Sequence, residues 1–223
     1  MVSRGFLILS KPILQLKEVT KTYINENEEI TALNNISIDF PLKKISMVVG
    51  PSGSGKSTLL RIAGLLEKCS SGRIIFDGKD QTNPEPSDRL YLIRNEIGFL
   101  PPYKNLFDYL TLLENVMLPM TRKDIELTIG TLKKVGVESI DSYPGNVSLE
   151  EQQKAAIARS IINDPQLLLI DEPTFQLSRS SSIKIMELIQ SLKDEYSIII
   201  FTDNNQLTKY ADEVFKLNNG ELV

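Results

Sequence analysis

The chain has 223 residues, a formal net charge of -4, one cysteine and no histidine. Without histidine it can form no Ser-His-Asp or Cys-His nucleophile pair, no imidazole acid or base and no histidine-containing zinc site. Its single cysteine, Cys69, cannot form an internal disulfide. The length and the 41% of apolar residues favour one domain with a real core. The acidic balance argues against nucleic-acid binding through a basic face.

The apolar stretches are short. The longest, residues 5–9 and 167–170, fall far below the roughly 20 residues that a membrane-spanning helix needs. Arg4 precedes the first stretch, which gives a faint likeness to a signal peptide, but a lysine follows at once and no small-residue cleavage site is present. We therefore expect neither a spanning helix nor a signal peptide.

The first quarter of the chain favours β structure. Residues 13–19 and 36–40 alternate partly between apolar and polar side chains, with a polar turn at 25–29 between them. Residues 73–76 precede Asp-Gly, a pair typical of a strand entering a tight turn. These segments predict an antiparallel sheet.

The next elements alternate between buried strands and helices. Residues 45–49 predict a buried strand, and residues 56–67 predict an amphipathic helix. Near the C-terminus, strands are expected at 166–171 and 197–202, and helices are expected at 181–193 and 204–212. This order favours a parallel α/β sheet covered on both faces.

The middle of the chain differs in character. A Pro-Pro pair at 101–102 precedes predicted helices at 109–117 and 122–135, and a further helix is expected from Ser148. The segment is therefore a candidate helical insertion into the α/β domain.

Residues 50–57 match the phosphate-loop pattern of glycine, four residues and Gly-Lys-Ser, between a predicted strand and a predicted helix. Its glycines allow successive N–H groups to point into one concavity, and the helix N-terminus adds partial positive charge. Lys56 can reach the β- and γ-phosphates, while the Ser57 hydroxyl is placed to bind Mg²⁺. The alternative, a Gly/Ser-rich turn that binds nothing, fits this context poorly. The predicted phosphate-binding residues are Gly50, Pro51, Ser52, Gly53, Ser54, Gly55, Lys56, Ser57 and Thr58.

Two carboxylates, Asp171 and Glu172, end the buried strand at 166–171. In an open α/β sheet, ligands bind at this end of the strands. Asp171 suits a role in holding Mg²⁺, and Glu172 suits polarising a water for in-line attack on a γ-phosphate. A strand capped by solvated acids is the alternative, but the phosphate loop makes a nucleoside-triphosphate site the better interpretation.

In this order the motifs resemble the ATP-binding subunits of ABC transporters, in particular the lipoprotein-export and macrolide-export type. The resemblance covers nearly the whole chain. Five segments show the resemblance, and they occur in the same order and at the same spacing as in the family. They are residues 19–23, 97–99, 113–119, 152–159 and 171–174.

The resemblance implies a P-loop NTPase core with a mixed, mainly parallel sheet, an N-terminal antiparallel β subdomain and an inserted α-helical subdomain. Residues 1–98 and 160–223 would form the core with its β subdomain, and residues 99–159 the helical part. Tyr23 would stack on the adenine, although it could be an ordinary tyrosine at a strand end. ATP and Mg²⁺ are the implied ligands.

Four motifs depart from the family pattern. Pro102 stands where the family has a glutamine that senses the γ-phosphate and Mg²⁺, and proline has no side-chain donor or acceptor. Ser178 replaces the acid of the D-loop, and Asp203 replaces the switch histidine. In place of the signature Leu-Ser-Gly-Gly-Gln stand Val147, Ser148, Leu149, Glu150 and Glu151.

The altered signature brings bulk and negative charge. In the family this segment approaches the γ-phosphate bound to the opposing subunit. A carboxylate at ~4 Å from a phosphate charge, with an effective dielectric of ~20, would cost roughly 4 kcal/mol. Ser148 and Glu151 also match a capping box, which favours a well-capped helix start over a signature that still contacts phosphate.

These changes predict slow hydrolysis. A carboxylate at Asp203 cannot donate to a γ-phosphate unless it is protonated, and the loss of one such donor typically costs about 10²- to 10³-fold in rate. The first hypothesis is an ATPase subunit with Lys56 and Glu172 as its catalytic residues. The second is a nucleotide-gated structural or regulatory subunit with little hydrolysis. A third and weaker hypothesis is a P-loop kinase that phosphorylates a small molecule, because the sequence shows no separate site for a phosphate acceptor.

The resemblance also implies partners. Family members form head-to-tail dimers on the cytoplasmic face of the membrane and serve a membrane permease. The resemblance leans to extrusion of lipids, lipoproteins or drugs, and import stays open as the alternative. The chain could pair with itself or with a second ATP-binding subunit. In neither arrangement would a site have all the family's catalytic groups.

Overall fold

The structure is a computed structural model that describes residues 12–25, 28–102 and 106–223. The expectations for residues 1–11, including the comparison with a signal peptide, lie outside this range, as does part of the expected turn at 25–29. In the described part of the chain no helix has the length and apolar character needed to cross a membrane.

The described strands are, in chain order, β1 (Pro12–Asn25), β2 (Glu28–Pro41), β3 (Ile45–Val49), β4 (Ser71–Phe76), β5 (Lys79–Asp80), β6 (Ile97–Leu100), β7 (Leu167–Asp171), β8 (Ser197–Thr202), β9 (Glu213–Asn218) and β10 (Glu221–Leu222). The α-helices are α1 (Lys56–Ala63), α2 (Pro86–Tyr91), α3 (Leu112–Met117), α4 (Ile125–Lys134), α5 (Leu149–Ile161) and α6 (Arg179–Ser191). A π-helical turn spans Leu92–Glu96, and 3-10 turns span Pro144–Asn146 and Asn205–Tyr210.

The strands form two sheets. An antiparallel sheet has the order β2-β1-β4-β5, and a six-stranded sheet has the order β10-β9-β3-β8-β7-β6. In the larger sheet all neighbours are parallel except β10 and β9. The mixed, mainly parallel sheet with flanking helices and an antiparallel β part confirms the predicted fold class.

The central strands are buried on both faces because successive side chains enter different hydrophobic cores. Met47 and Ile170 belong to a core shared with α3, α5 and α6. Their neighbours Val48 and Leu169 belong to a second core, shared with α1 and the antiparallel sheet. The continuous apolar runs of β3, β7 and β8 follow from this double burial, which fixes the strand ends that carry the site.

Element boundaries differ where side chains cap the backbone. Helix α3 begins at Leu112, later than expected, because Thr111 and Glu114 form a reciprocal capping box. Helix α4 begins at Ile125, since Asp124 accepts a hydrogen bond from the amide of Leu127. The expected helix at 204–212 is a 3-10 turn, begun by an Asn204 cap on the amide of Gln206.

Candidate nucleotide-binding site

The predicted site residues lie at one edge of the six-stranded sheet. Strands β3, β8 and β7 are adjacent and parallel, so their carboxyl ends meet there. The amide of Gly50 donates to the carbonyl of Thr202 at 3.2 Å, and the amide of Glu172 donates to the carbonyl of Phe201 at 2.9 Å. The structure thus brings together the phosphate loop, the paired acids and the switch segment.

The phosphate loop needs glycine at two positions. A Cβ at Gly50 would lie 2.2 Å from the carbonyl oxygen of Leu217. Gly55 has a φ of 104°, and its Cβ would lie 2.7 Å from the carbonyl oxygen of Ala32. Larger residues would displace backbone in both places, so the curl of the loop depends on these glycines.

Lys56 begins α1 and folds back over the loop. Its ammonium group donates to the carbonyls of Gly50 at 2.6 Å and Pro51 at 3.0 Å, and the side chain is buried. Ser57 and most of the loop before Ser54 are exposed. The Lys56 charge therefore lies against the loop carbonyls, with residues 51–53 and Ser57 exposed beside it, an arrangement that suits a polyphosphate.

The paired acids experience different surroundings. Burial raises the pKa of Asp171, while the charges of Lys56 and Arg61 oppose that rise. Burial also raises the pKa of Glu172, against hydrogen bonds from Thr202 and the amide of Asp203. Asp171 thus faces the cations of α1, whereas Glu172 is bound to the end of β8.

The donor set fits Mg²⁺ held jointly by protein and phosphate. Ser57 offers a hydroxyl and Asp171 a half-buried carboxylate. No group of three or more Asp, Glu, Cys or His side chains able to hold a metal occurs among the described residues. Protein Mg²⁺ sites commonly use one or two carboxylates, with phosphate oxygens and water completing the octahedron.

Tyr23 is held rigidly beside α1. Its hydroxyl donates to the Glu67 carboxylate at 3.0 Å and accepts from Arg61 at 3.1 Å. The Nζ atom of Lys21 lies 5.1 Å from the ring centroid and 2.9 Å from Glu67. Sequence reasoning missed this cluster, which fixes the orientation of the ring; Thr58 lies 3.4 Å from the Tyr23 hydroxyl.

The altered signature forms a capped helix start, but the expected capping box is half formed. The Ser148 hydroxyl accepts from the amide of Glu151 at 3.1 Å. The Glu151 carboxylate, in turn, accepts from the amide of Ser139 at 3.1 Å instead of returning to the helix cap. Leu149 is 47% exposed, so its apolar side chain faces outward, at a position that we predicted to match a signature glycine.

Glu150 links the signature helix to α6. Its carboxylate accepts from the Ser181 hydroxyl at 2.9 Å and forms ion pairs at 3.2 Å with Lys154 and with Lys184. Helix α6 has no acidic residue in its own first turn, and Ser178 caps it by accepting from the amide of Ser181. Glu150 therefore supplies the negative charge that favours this helix N-terminus.

The remaining altered positions lie at strand ends. Pro102 is exposed two residues after β6, and Asp203 is exposed directly after β8. The amide of Asp203 binds Glu172, as described above. Pro102 has no side-chain group for a phosphate or a metal ion.

A pH-dependent effect on stability is expected from Glu150. Burial alone would raise its pKa, but the Ser181 hydroxyl and the charges of Lys154 and Lys184 outweigh it and hold the pKa below its ordinary value of 4.5. A carboxylate with a lowered folded pKa stabilises the protein above the unfolded pKa and loses that effect as the pH falls through the folded pKa. Thermal unfolding of wild type and Glu150→Gln should therefore differ most above about pH 5 and converge in stronger acid. An exposed control, Glu187→Gln, should match wild type throughout, and a gap for Glu150→Gln that widens on acidification would contradict this assignment.

A phosphate loop followed by a helix, with an acidic strand end beside it in a parallel sheet, defines a P-loop nucleotide-binding protein. The chain belongs to the ABC transporter family, whose model matches residues 33–175. This places the chain among proteins whose ATP-binding domains are ATPases.

Relatives match over the full domain. The lipoprotein-releasing system ATP-binding protein LolD of Wigglesworthia glossinidia brevipalpis is 35% identical over 94% of this chain and 96% of that protein. The macrolide export ATP-binding/permease protein MacB of Shigella sonnei is 33% identical over 95% of this chain and 34% of that protein. A solved dimeric post-hydrolysis state of the ATP-binding cassette MJ0796, bound to ADP and Pi, is 31% identical with a TM-score of 0.84, over 94% of this chain and 96% of that chain.

Proposed function

We propose that this ATP-binding subunit holds MgATP firmly at a dimer interface and hydrolyses it slowly to drive a membrane permease. The observation that carries the proposal is an asymmetry within the site. The phosphate loop, Asp171 and Glu172 are intact and converge on one sheet edge. The changed residues fall on the groups that would complete phosphoryl transfer.

Binding of the nucleotide would use the intact half. The amides of residues 50–57 and the Lys56 ammonium would hold the phosphates, with Thr58 next along the helix. Tyr23 would offer its ring to the adenine. Ser57 and Asp171 would hold Mg²⁺, which neutralises phosphate charge when it is bound.

Hydrolysis would depend on Glu172. An oxygen of its carboxylate would accept a proton from the attacking water, as a general base does. No histidine exists to donate to the γ-phosphate, and Pro102 offers neither donor nor acceptor. The loss of even one such donor typically lowers the rate by about 10²-fold or more.

A head-to-tail dimer would place the signature of one subunit over the nucleotide of the other. Two copies of this chain would form two sites with altered signatures. An unaltered partner would give this chain's nucleotide a good signature without a switch histidine, while the partner's nucleotide would face Leu149. The dimeric structure of MJ0796, a similar cassette, supports the association itself.

The permease would dock beside the helical insertion, proposed as residues 99–159, on the cytoplasmic face of the membrane. A cleft of ≈ 430 Å³ lies there, lined mostly by apolar residues, with two arginines, Arg94 and Arg159, among them. Its lining includes Leu90, Ile93, Phe99, Leu118, Pro119 and Arg159. The names of the lipoprotein-releasing and macrolide-export relatives favour extrusion as the direction of transport.

The second candidate is a regulatory subunit in which ATP binding orders a complex and hydrolysis is incidental. The Glu150 link to α6 favours it, because the signature segment is already fixed within its own chain.

Sedimentation of the purified chain with MgATP, MgADP and a non-hydrolysable ATP analogue tests the proposal. We expect self-association with ATP and with the analogue, and slow dissociation in ATP alone as the nucleotide is consumed. Equal persistence with ATP and the analogue would favour the regulatory role. Failure to bind MgATP in calorimetry would overturn both.

A further inference from the structure

Both carboxylate oxygens of Glu172 are held from the end of β8. The Thr202 hydroxyl donates to Oε2 at 2.7 Å, and the backbone amide of Asp203 donates to Oε1 at 2.7 Å. Thr202 is fully buried. These are short hydrogen bonds to a charged acceptor, which are stronger than neutral ones.

The direction of the Thr202 hydroxyl is fixed by its other contact. The amide of Asn204 donates to the same oxygen at 3.1 Å. An oxygen that accepts this N–H directs its own proton elsewhere, and Glu172 lies within reach. The hydroxyl is therefore a committed donor to the carboxylate.

Thr202 also holds the phosphate loop. Its carbonyl accepts the amide of Gly50 at 3.2 Å. One buried residue thus contacts the start of the phosphate loop through its main chain and Glu172 through its side chain. Thr202 therefore connects the proposed base, Glu172, with the loop that is proposed to hold the phosphates.

The backbone of Glu172 adds a further constraint. Its φ is 44°, in the left-handed region that a residue other than glycine enters at a cost of about 1 kcal/mol. Its amide is hydrogen-bonded to Phe201 of β8. The side chain therefore leaves the strand toward β8, where the two donors meet it.

We propose that Thr202 is a positioning residue for hydrolysis, in which its hydroxyl aims the Glu172 carboxylate and thereby replaces part of the work of a switch histidine. This inference rests on the proposed function of Glu172 as general base. In the step, the water oxygen bonds to the γ-phosphorus, the bond from that phosphorus to the leaving oxygen of ADP breaks, and the water proton passes to Glu172. Each carboxylate oxygen keeps a free lone pair for that proton, since the two donors occupy one site on each.

The test compares Thr202→Val, Thr202→Ser and Thr208→Val in single-turnover ATP hydrolysis with protein in excess. Thr202→Val is nearly isosteric and keeps the main-chain bond to Gly50. We expect the rate to fall by roughly 10²-fold, the loss typical of a misaligned catalytic group, with an unchanged Kd for MgATP. Thr202→Ser keeps the hydroxyl and should restore most of the rate. The Thr208 hydroxyl donates to the nearby carbonyl of Asn205, so Thr208→Val should match wild type.

Three results for the Thr202 variants would overturn the inference. They are a wild-type rate in Thr202→Val, a fall in rate for Thr202→Ser equal to that for Thr202→Val, or a rate loss that is matched by lost MgATP affinity. Thermal unfolding reports whether each variant folds, and Thr202→Ala replaces the valine variant if that one does not. Wild-type turnover no higher than that of Glu172→Gln would also overturn it, whereas intact MgATP binding would still support the binding part of the proposed function.

Discussion

Replacing Lys56 with alanine is expected to abolish MgATP binding. The loop at residues 50–57 contains no other cationic side chain, and the Lys56 ammonium lies 2.6 Å from the Gly50 carbonyl at the mouth of the loop. Charge-assisted contacts of this kind are each worth about 1.5–3 kcal/mol, so the affinity should fall by at least ~10²-fold. Isothermal titration with MgATP measures the change.

The matched control for this variant is Lys133→Ala, which removes an exposed lysine at the end of α4. It should bind MgATP as wild type does, since α4 lies outside the phosphate-loop edge. Both variants should keep their far-ultraviolet circular dichroism. Binding by Lys56→Ala at wild-type affinity would show that the phosphate loop is not the nucleotide site.

Replacing Glu172 with glutamine should remove whatever turnover the protein has while MgATP binding persists. Glutamine keeps the size of the side chain, and its single oxygen can accept one of the two hydrogen bonds that Glu172 accepts, but its amide cannot take the water proton. General-base catalysis typically contributes about 10²- to 10⁴-fold, and the small initial rate should therefore fall to background. Phosphate release and MgATP affinity are both measured.

An exposed glutamate of α6 provides the control. Glu187→Gln makes the same chemical change away from the site and should leave the rate unaltered. If turnover persists in Glu172→Gln at the wild-type rate, the base has been assigned to the wrong residue.

The sequence predicted the parts of the site that depend on local pattern. A phosphate loop is contiguous in sequence. The continuous apolar run before Asp171 and Glu172 predicts a buried strand, and the acids that follow it are therefore expected at the carboxyl end of the sheet. The presence of two hydrophobic cores also follows from the sequence pattern, because a strand that is apolar on both faces must pack against other elements on each face. The fold class was predictable for the same reason.

Contacts between distant segments were not predictable in this way. The Glu150 ion pair with Lys184 joins helices that are separated by a strand, and no periodicity relates them. The Tyr23 hydroxyl reaches Glu67 across the antiparallel sheet and α1. The sequence pattern predicted Glu151 in a capping box, but in the folded chain its carboxylate accepts a hydrogen bond from the amide of Ser139.

Local caps account for much of the remaining difference. Thr111 and Asp124 each set a helix start that the apolar period alone misplaced. The short helix α2 and the π-helical turn after it bury no side chain, so they leave little periodic signal. Strand β9 alternates weakly and is fixed by pairing with β3.

The absence of histidine matters for the proposed mechanism at one position, Asp203. We predicted from the resemblance that Asp203 stands at the switch-histidine position, and the structure shows its backbone amide donating to Glu172. We therefore expect the groups that hold a nucleotide to be better preserved than the groups that transfer its phosphate.

The most direct test is a single-turnover measurement on wild type and Glu172→Gln, with each protein saturating a trace of MgATP. We predict that both proteins bind nearly all the nucleotide, that wild type cleaves it slowly, and that the variant does not cleave it at all. Rapid cleavage by wild type, with most ATP converted before the first minutes have passed, would contradict the claim that this site holds ATP better than it splits it.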